Sequence, residues 1–162
     1  MTIVYLGLGA NLGDRLSHIK AAVNALAGMG DAIEVSPIYA TDAVGGPPGQ
    51  GRYLNCVVRL DTSLGPHEIL ATGLALEEAA GRVRTVPNAP RPLDVDLLLY
   101  GDDRIDDGDR LQVPHPRMFE RAFVLAPLAD LEPALVPVGW QERLATAVLR
   151  VGTLVGQQRQ QR

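Results

Sequence analysis

Two periods of hydrophobic residues divide this chain. Apolar side chains recur at every second position in some stretches and at every third or fourth in others, and the switches mark the elements. Ile3 to Gly9 predicts a first strand. After Asn11-Leu12-Gly13-Asp14, the residues Leu16, Ile19, Val23 and Leu26 make one helical stripe. Asp14 complements the dipole of that helix, and Gly28 or Gly30 ends it. Positions 32–41 predict a second strand, with Ile33, Val35 and Pro37 alternating with polar residues, and Tyr53 to Asp61 a third. A second helix opens at Gly65-Pro66 and closes at Gly81. The apolar run Leu93-Asp94-Val95-Asp96-Leu97-Leu98-Leu99-Tyr100, bounded by Pro92 and Gly101, is a fourth strand. Phe123 to Leu128 forms a short helix stopped by 133–139, and Gln141 to Val151 a last amphipathic helix. The order β-α-β-β-α-β with additional C-terminal helices predicts an α+β fold with a ferredoxin-like sheet.

Strand alternation sorts side chains by face. In the third strand Leu54, Cys56, Val58 and Leu60 face one side, so Cys56 is a core residue and not a nucleophile. Tyr53, Asn55, Val57 and Arg59 face the other. An aromatic ring beside an amide suits a flat heterocycle, and equally suits cross-strand packing. Asp94 and Asp96 share a face roughly 7 Å apart along their strand. Two such carboxylates need a cation or arginines to compensate them, and paired hard oxygens suit Mg²⁺ holding a polyphosphate. The other reading is the solvated face of an edge strand.

Seven arginines surround this pair in the sequence: Arg82, Arg84, Arg91, Arg104, Arg110, Arg117 and Arg121. Arginine suits multidentate phosphate contact. The chain as a whole carries a net charge of −4, so this is local focusing on an acidic protein, which favours a small anionic substrate over nucleic acid. Arginine is also the default cation here, since Lys20 is the one lysine, and some of the arginines are ordinary surface charges. With Lys20 inside the first helix and no Gly-x-x-x-x-Gly-Lys-Ser/Thr, a P-loop is excluded. Gly7-x-Gly9 fails the dinucleotide spacing because Leu12 stands where the third glycine belongs.

At 162 residues one domain is expected over 1–156, with 157–162 a polar, disordered tail. A lone cysteine fits a reducing cytoplasm. The N-terminus has no basic segment and reads as a strand, not a signal peptide, and no apolar stretch is long enough for a membrane. His18 and His67 fall on solvent-facing helix positions. Three connections stand out. The Gly/Pro-rich 42–52 and the 85–92 loop flank the arginines and aspartates and predict binding loops, with 42–52 and 84–91 moving when substrates bind. The acidic 101–112 predicts flexible surface.

Several stretches together resemble the 6-hydroxymethyl-7,8-dihydropterin pyrophosphokinase family of folate synthesis. They are Leu8-Gly9-Ala10-Asn11-Leu12-Gly13-Asp14-Arg15, Ser36-Pro37-Ile38-Tyr39, Tyr53-Leu54-Asn55, Gly81-Arg82-Val83-Arg84, Pro90-Arg91-Pro92-Leu93-Asp94-Val95-Asp96 and Val113-Pro114-His115-Pro116-Arg117. The resemblance implies transfer of the β,γ-diphosphoryl unit of ATP to the pterin hydroxymethyl group, releasing AMP. It implies that Asp94 and Asp96 bind two Mg²⁺ ions and that Arg82 and Arg91 hold the polyphosphate as it transfers. It places Glu77, Arg84, His115 and Arg121 in the ATP site, and Tyr53, Asn55 and Phe123 in the pterin pocket, with Thr41 and the loop after it closing over the pterin. It implies ATP and 6-hydroxymethyl-7,8-dihydropterin as the partners of a cytoplasmic monomer, with no nucleic acid and no membrane. With the chain ending near 162, the fused partner domains of some relatives are expected to be absent. The loop between Arg84 and Arg91 is about one residue shorter than in familiar members and lacks the arginine and tryptophan some place there. Leu74 stands where some have glutamine, and Trp140 has no implied role. Ferredoxin-like folds also serve as binding-only modules, but such a module would not need paired aspartates, loop arginines and a histidine at one edge.

Overall fold

A computed structural model describes residues 1–43, 46–83, 89–144 and 148–154. Strand β1 (Thr2–Ala10) leads into helix α1 (Arg15–Ala27). The carboxylate of Asp14 caps α1 by accepting the Ser17 N–H at 3.2 Å. Strands β2 (Ala32–Val35), β3 (Ile38–Thr41) and β4 (Tyr53–Thr62) follow, then helix α2 (Pro66–Ala79) and strand β5 (Asp94–Tyr100). Pro66 occupies the first turn of α2, and Glu68 reaches back to the Gly65 N–H at 2.9 Å. A hairpin of β6 (Ile105–Asp107) and β7 (Leu111–Val113) precedes helices α3 (Ala122–Leu131) and α4 (Trp140–Arg143) and a last strand, β8 (Leu149–Gly152).

Six strands make one sheet, ordered β5-β1-β4-β3-β8, with β2 also on β4, and every pairing within it is antiparallel. This is the expected ferredoxin-like interleaving with one strand added at the edge. Alternation along the strands divides two cores. Leu6, Leu8, Cys56, Val58, Leu60, Val95 and Leu97 face α1 and α2, meeting Ile19, Val23, Leu26 and Ile69. Tyr5, Val57 and Leu98 face the other way, against Met118 and against Val124 and Leu128 of α3. Helix α3 covers only part of that second face, and the uncovered part carries the polar residues described below.

Four expectations need correction. The strand expected over 32–41 is two strands, because Pro37 brings no N–H to the ladder. Ser36 bridges the break: its N–H donates to the Val57 carbonyl and its hydroxyl accepts the Val57 N–H, both at 2.9 Å. Leu16 stays 39% exposed in the first turn of α1, and Ala22 completes the buried stripe in its place. The acidic 101–112 segment is not simply flexible surface. It holds the β6–β7 hairpin, anchored by buried Leu111 and Val113. Of the helix expected over 141–151, α4 forms the start, residues 145–147 lie outside the described residues, and Leu149–Gly152 is instead a strand that pairs with the free edge of β3, which satisfies backbone groups at that edge. Trp140 packs against Tyr39, Ala122, Leu125 and Ala126.

Candidate active site

The site grows from register. Asp94 pairs across the sheet with Gly9, and Gly9 with Asn55; Asp96 pairs with Gly7, and Gly7 with Val57. Residues directly opposite share a face. The acid pair on β5 and the amide on β4 therefore look out from the same face, two strand spacings or about 10 Å apart. Between them β1 presents only glycine. A methyl group on Gly9 would stand 2.8 Å from Asn55 Oδ1 and 3.5 Å from the Tyr53 ring, so this position keeps the face open and the amide in place. Asn55 is buried, and its Nδ2 donates to Thr41 Oγ1 at 2.8 Å, which leaves Oδ1 directed toward Gly9. Gly9→Ala should push the Asn55 amide out of its place beside Thr41. The expected loss is about tenfold in affinity for whatever Asn55 reads, with little change in melting temperature, measured by calorimetric titration beside thermal unfolding.

The arginines are placed by a turn. Gly81 takes a left-handed conformation (φ +90) just past α2, which turns the chain back so that the Arg82 N–H bonds the Glu77 carbonyl at 3.1 Å. The Arg82 guanidinium then lies 2.9 Å from both Glu77 Oε2 and Asp94 Oδ1. Glu77 is only 4% exposed and also accepts the Val95 N–H at 2.8 Å, so it ties α2, β5 and Arg82 together. Arg91 approaches from the other side. Its Nη1 is 3.7 Å from Asp94 Oδ2, and its guanidinium lies 5.8 Å from the centre of the Tyr53 ring.

Buried Asn11 joins the two loops that border this face. It exchanges backbone and side-chain hydrogen bonds with Arg91, donating its N–H to the Arg91 carbonyl at 3.1 Å and accepting the Arg91 N–H on Oδ1 at 2.9 Å. Its Nδ2 donates to Gln50 Oε1 and the Gly51 carbonyl. Arg52 is held by Asp42 at 3.0 Å, and its carbonyl accepts from Arg15 at 2.8 Å.

Charge is compensated unequally. Asp94 has Arg82 and Arg91 beside it. Asp96 is pushed up to about 7, first by burial and then by the negative charge of Asp94, with Arg121 pulling in the opposite direction. A cation at Asp96 would relieve that penalty. Among the described residues no group of three or more histidine, cysteine, aspartate or glutamate side chains could hold a metal. The donor set is thus two carboxylates, which fits Mg²⁺, an ion that keeps waters and phosphate oxygens in its shell. His115 follows β7, and its N–H bonds the Leu98 carbonyl at 2.9 Å. Burial and the charge of Arg121 hold the ring below the ordinary histidine range, with Asp94 acting in the opposite direction. The guanidinium of Arg121 stacks 5.5 Å from the Phe123 ring at the start of α3.

The hairpin adds a cleft that the sequence did not disclose. A cavity of about 340 Å³ lies between β5, α2 and β6–β7, with Leu70, Leu97 and Leu111 as apolar walls, Arg110, Gln112 and His115 as polar ones, and Asp96 on its border. His67 is not simply solvent-facing: its Nε2 lies 3.0 Å from Asp107 Oδ2 and ties α2 to the hairpin. The structure thus gathers Asp94, Asp96, Arg82, Arg91 and Glu77 in one network, Thr41, Tyr53 and Asn55 beside it, and His115, Arg121 and Phe123 after the hairpin. Arg84 and the loop residues 44, 45 and 85–88 lie outside the described residues. Gly9, Asn11 and the hairpin's Gln112 carried no role in the sequence reading, and Arg110 entered it only as one of the seven arginines near the acid pair. The signal available was the period-two Gly7-x-Gly9 inside a strand, continued at the same period by Asn11.

An open sheet face with a compensated acid pair, a ring of arginines and an adjoining cleft defines a class of protein, an α+β enzyme that works on a polyanion. Comparison with known proteins makes this specific. Residues 5–133 match the family described as 7,8-dihydro-6-hydroxymethylpterin-pyrophosphokinase (HPPK). The chain is 45% identical over 134 residues to the 2-amino-4-hydroxy-6-hydroxymethyldihydropteridine pyrophosphokinase of Pseudomonas aeruginosa, covering 82% of each. It is 45% identical over 132 residues to the Bacillus subtilis protein of the same name, covering 80% of this chain and 77% of that one. It also matches the mitochondrial folate synthesis bifunctional protein of Pisum sativum, 43% identical over 135 residues, but spans only 25% of that longer protein. In fold it is similar to the crystal structure of an HPPK-DHPS in complex with substrates, with a TM-score of 0.59 at 13% identity, over 80% of this chain and 40% of that one. The chain belongs to the HPPK family, and is an ATP-dependent diphosphotransferase acting on hydroxymethyldihydropterin in folate biosynthesis.

Proposed function

We propose that the open sheet face divides this reaction between two ends of one cross-strand row. The observation that carries the reading is the row itself: Asp94, then bare Gly9, then Asn55. On the β5 end, Asp94 and Asp96 would hold two Mg²⁺ ions, which when bound neutralise the triphosphate and polarise its transferring phosphorus. Arg82, Arg91 and Arg121 surround the same end and would neutralise the polyphosphate as it moves. The adjoining cleft, lined by Leu70, Leu111 and His115, would take the nucleoside, since its volume and mixed apolar and polar walls suit one. Glu77 acts there through Arg82, which it positions. Arg84 belongs to the same end by its place in the sequence.

On the β4 end, Thr41, Tyr53, Asn55 and Phe123 would hold the pterin. Thr41 fixes the Asn55 amide, so its free oxygen is an oriented acceptor for a pterin N–H. The acceptor hydroxyl then lies over Gly9, facing the triphosphate. Its oxygen forms the new bond to the β-phosphorus, the bond from that phosphorus to the α,β-bridging oxygen breaks, and AMP leaves. The hydroxyl proton departs to solvent or to a phosphate oxygen. Catalysis on this reading is positioning and charge neutralisation, as phosphoryl transfer generally requires.

We further propose a cytoplasmic monomer with no nucleic-acid partner; the net charge of −4 favours a small anionic substrate over nucleic acid. Among the described residues no helix is long and apolar enough to cross a membrane. The test is Asn55→Ala. Pterin affinity should fall about tenfold or more while that for a non-hydrolysable ATP analogue holds within about twofold, since a buried hydrogen-bonding group is lost on one side only. The reverse order in calorimetric titrations would reject the division.

A further inference from the structure

The cross-strand row does not stop at Asn55. Tyr39 on β3 pairs with Asn55, and Arg150 on β8 pairs with Tyr39, so the order across the sheet is Arg150, Tyr39, Asn55, Gly9, Asp94. Its outer two members lock to helix α3. Tyr39 Oη donates to Asp130 Oδ2 at 2.5 Å. Arg150 Nη2 lies 2.5 Å from Asp130 Oδ1, Arg150 reaches Tyr39 Oη with Nε at 3.3 Å and Nη2 at 3.2 Å, and its guanidinium lies 5.7 Å from the centre of the Tyr39 ring. The Tyr39 ring is buried between β3 and the α3 residues Ala122, Leu125 and Ala126.

We propose that β8 positions the pterin end of the site through this Tyr39–Asp130–Arg150 strap. The strap joins both walls of the pocket. Thr41, two residues along from Tyr39 on the same face, holds the Asn55 amide. Phe123 projects from the first turn of α3, and Asp130 sits in its last turn, about 10 Å along the same helix, which runs on through Pro127. Fixing Tyr39 against Asp130 therefore fixes the separation between the Asn55 wall and the Phe123 wall. A flat ring held between two walls is sensitive to that separation, because small misplacements of binding groups weaken oriented contacts sharply. The nucleotide end is held by other means, through Glu77, Arg82 and the hairpin. Strand β8 lies beyond the residues matched by the family, which end at 133. Tyr39, Asp130 and Arg150 are thus positioning residues, none of them placed against the reacting atoms.

The inference rests on the pterin pocket proposed above, and the experiment separates the two. Affinities for 6-hydroxymethyl-7,8-dihydropterin and for a Mg²⁺-bound non-hydrolysable ATP analogue are measured on the full chain for Tyr39→Phe, which removes only the hydroxyl, and for Arg150→Ala, whose side chain is 57% exposed and whose loss spares the core. Both variants should weaken pterin binding about five- to tenfold, the size of one or two lost hydrogen bonds, and leave the nucleotide within about twofold. Unchanged pterin affinity, or equal losses for both ligands, would overturn the strap. Asn55→Ala serves as the control. If it weakens pterin binding while the strap variants do not, the strap fails and the pocket stands. If Asn55→Ala is also without effect, both fall.

Discussion

Asp96→Ala should turn over about a thousandfold more slowly than the native chain while remaining folded, the scale expected when one preorganised charge-stabilising group is removed from a transfer site. Asp96 shares its face with Asp94, borders the cleft beside the hairpin, and is destabilised as a carboxylate by burial and by its neighbour. The same physics makes a second measurement opposite in sign. Its folded pKa of about 7 lies above the ordinary carboxylate value, so the folded state binds the proton more tightly than the unfolded state does. Stability from this group is full below about pH 4 and is lost as pH rises through about 7. Without Mg²⁺, Asp96→Asn should therefore melt higher than the native chain at pH 8, with the gap closing toward pH 4. A variant that is slower and more stable marks a group retained for charge. Full activity in Asp96→Ala or Asp94→Ala would remove the metal assignment.

The second large effect falls on the arginines. Arg82→Ala and Arg91→Ala should each lower the single-turnover rate about a hundredfold or more while changing substrate affinity far less, because charge develops on the diphosphoryl group as it transfers. The two differ in stability. Arg82 is nearly buried and bonds both Glu77 and Asp94 at 2.9 Å, so Arg82→Ala withdraws a counter-ion from a buried carboxylate and should lower the melting temperature. Arg91 stands 3.7 Å from Asp94 and should cost less stability. Arg82→Lys keeps the charge without the fork, and should recover stability more fully than rate. Collapsed affinity with an unchanged saturating rate would make both arginines ordinary binding groups.

The parts of this site legible in the sequence were those written in side-chain chemistry at a fixed local period. Asp94 and Asp96 share a face because strands alternate, and Tyr53 with Asn55 and Cys56 divide for the same reason. Gly81 and Arg82 were legible as a helix end followed by a basic loop. The roles of Glu77, His115, Arg121 and Phe123 came from the resemblance, since nothing in their local spacing brings them to the acid pair. What local period does not carry is register. Gly7 and Gly9 matter because of what they leave empty between β4 and β5, which depends on two pairings remote in sequence. The hairpin hid because Ile105, Leu111 and Val113 are few among many acidic residues. Strand β8 hid because Leu149 and Val151 also suit a short helix. Only the free edge of β3, more than a hundred residues earlier, decides between the two.

A structure of the full chain with Mg²⁺, a non-hydrolysable ATP analogue and 6-hydroxymethyl-7,8-dihydropterin tests the row most directly. Metal ions should contact Asp94 and Asp96, the nucleoside should fill the cleft beside His115, and the pterin should meet Asn55 Oδ1 with its hydroxymethyl group over Gly9. Metal bound away from both aspartates, or the pterin lodged in the hairpin cleft, would contradict the assignment of the two ends.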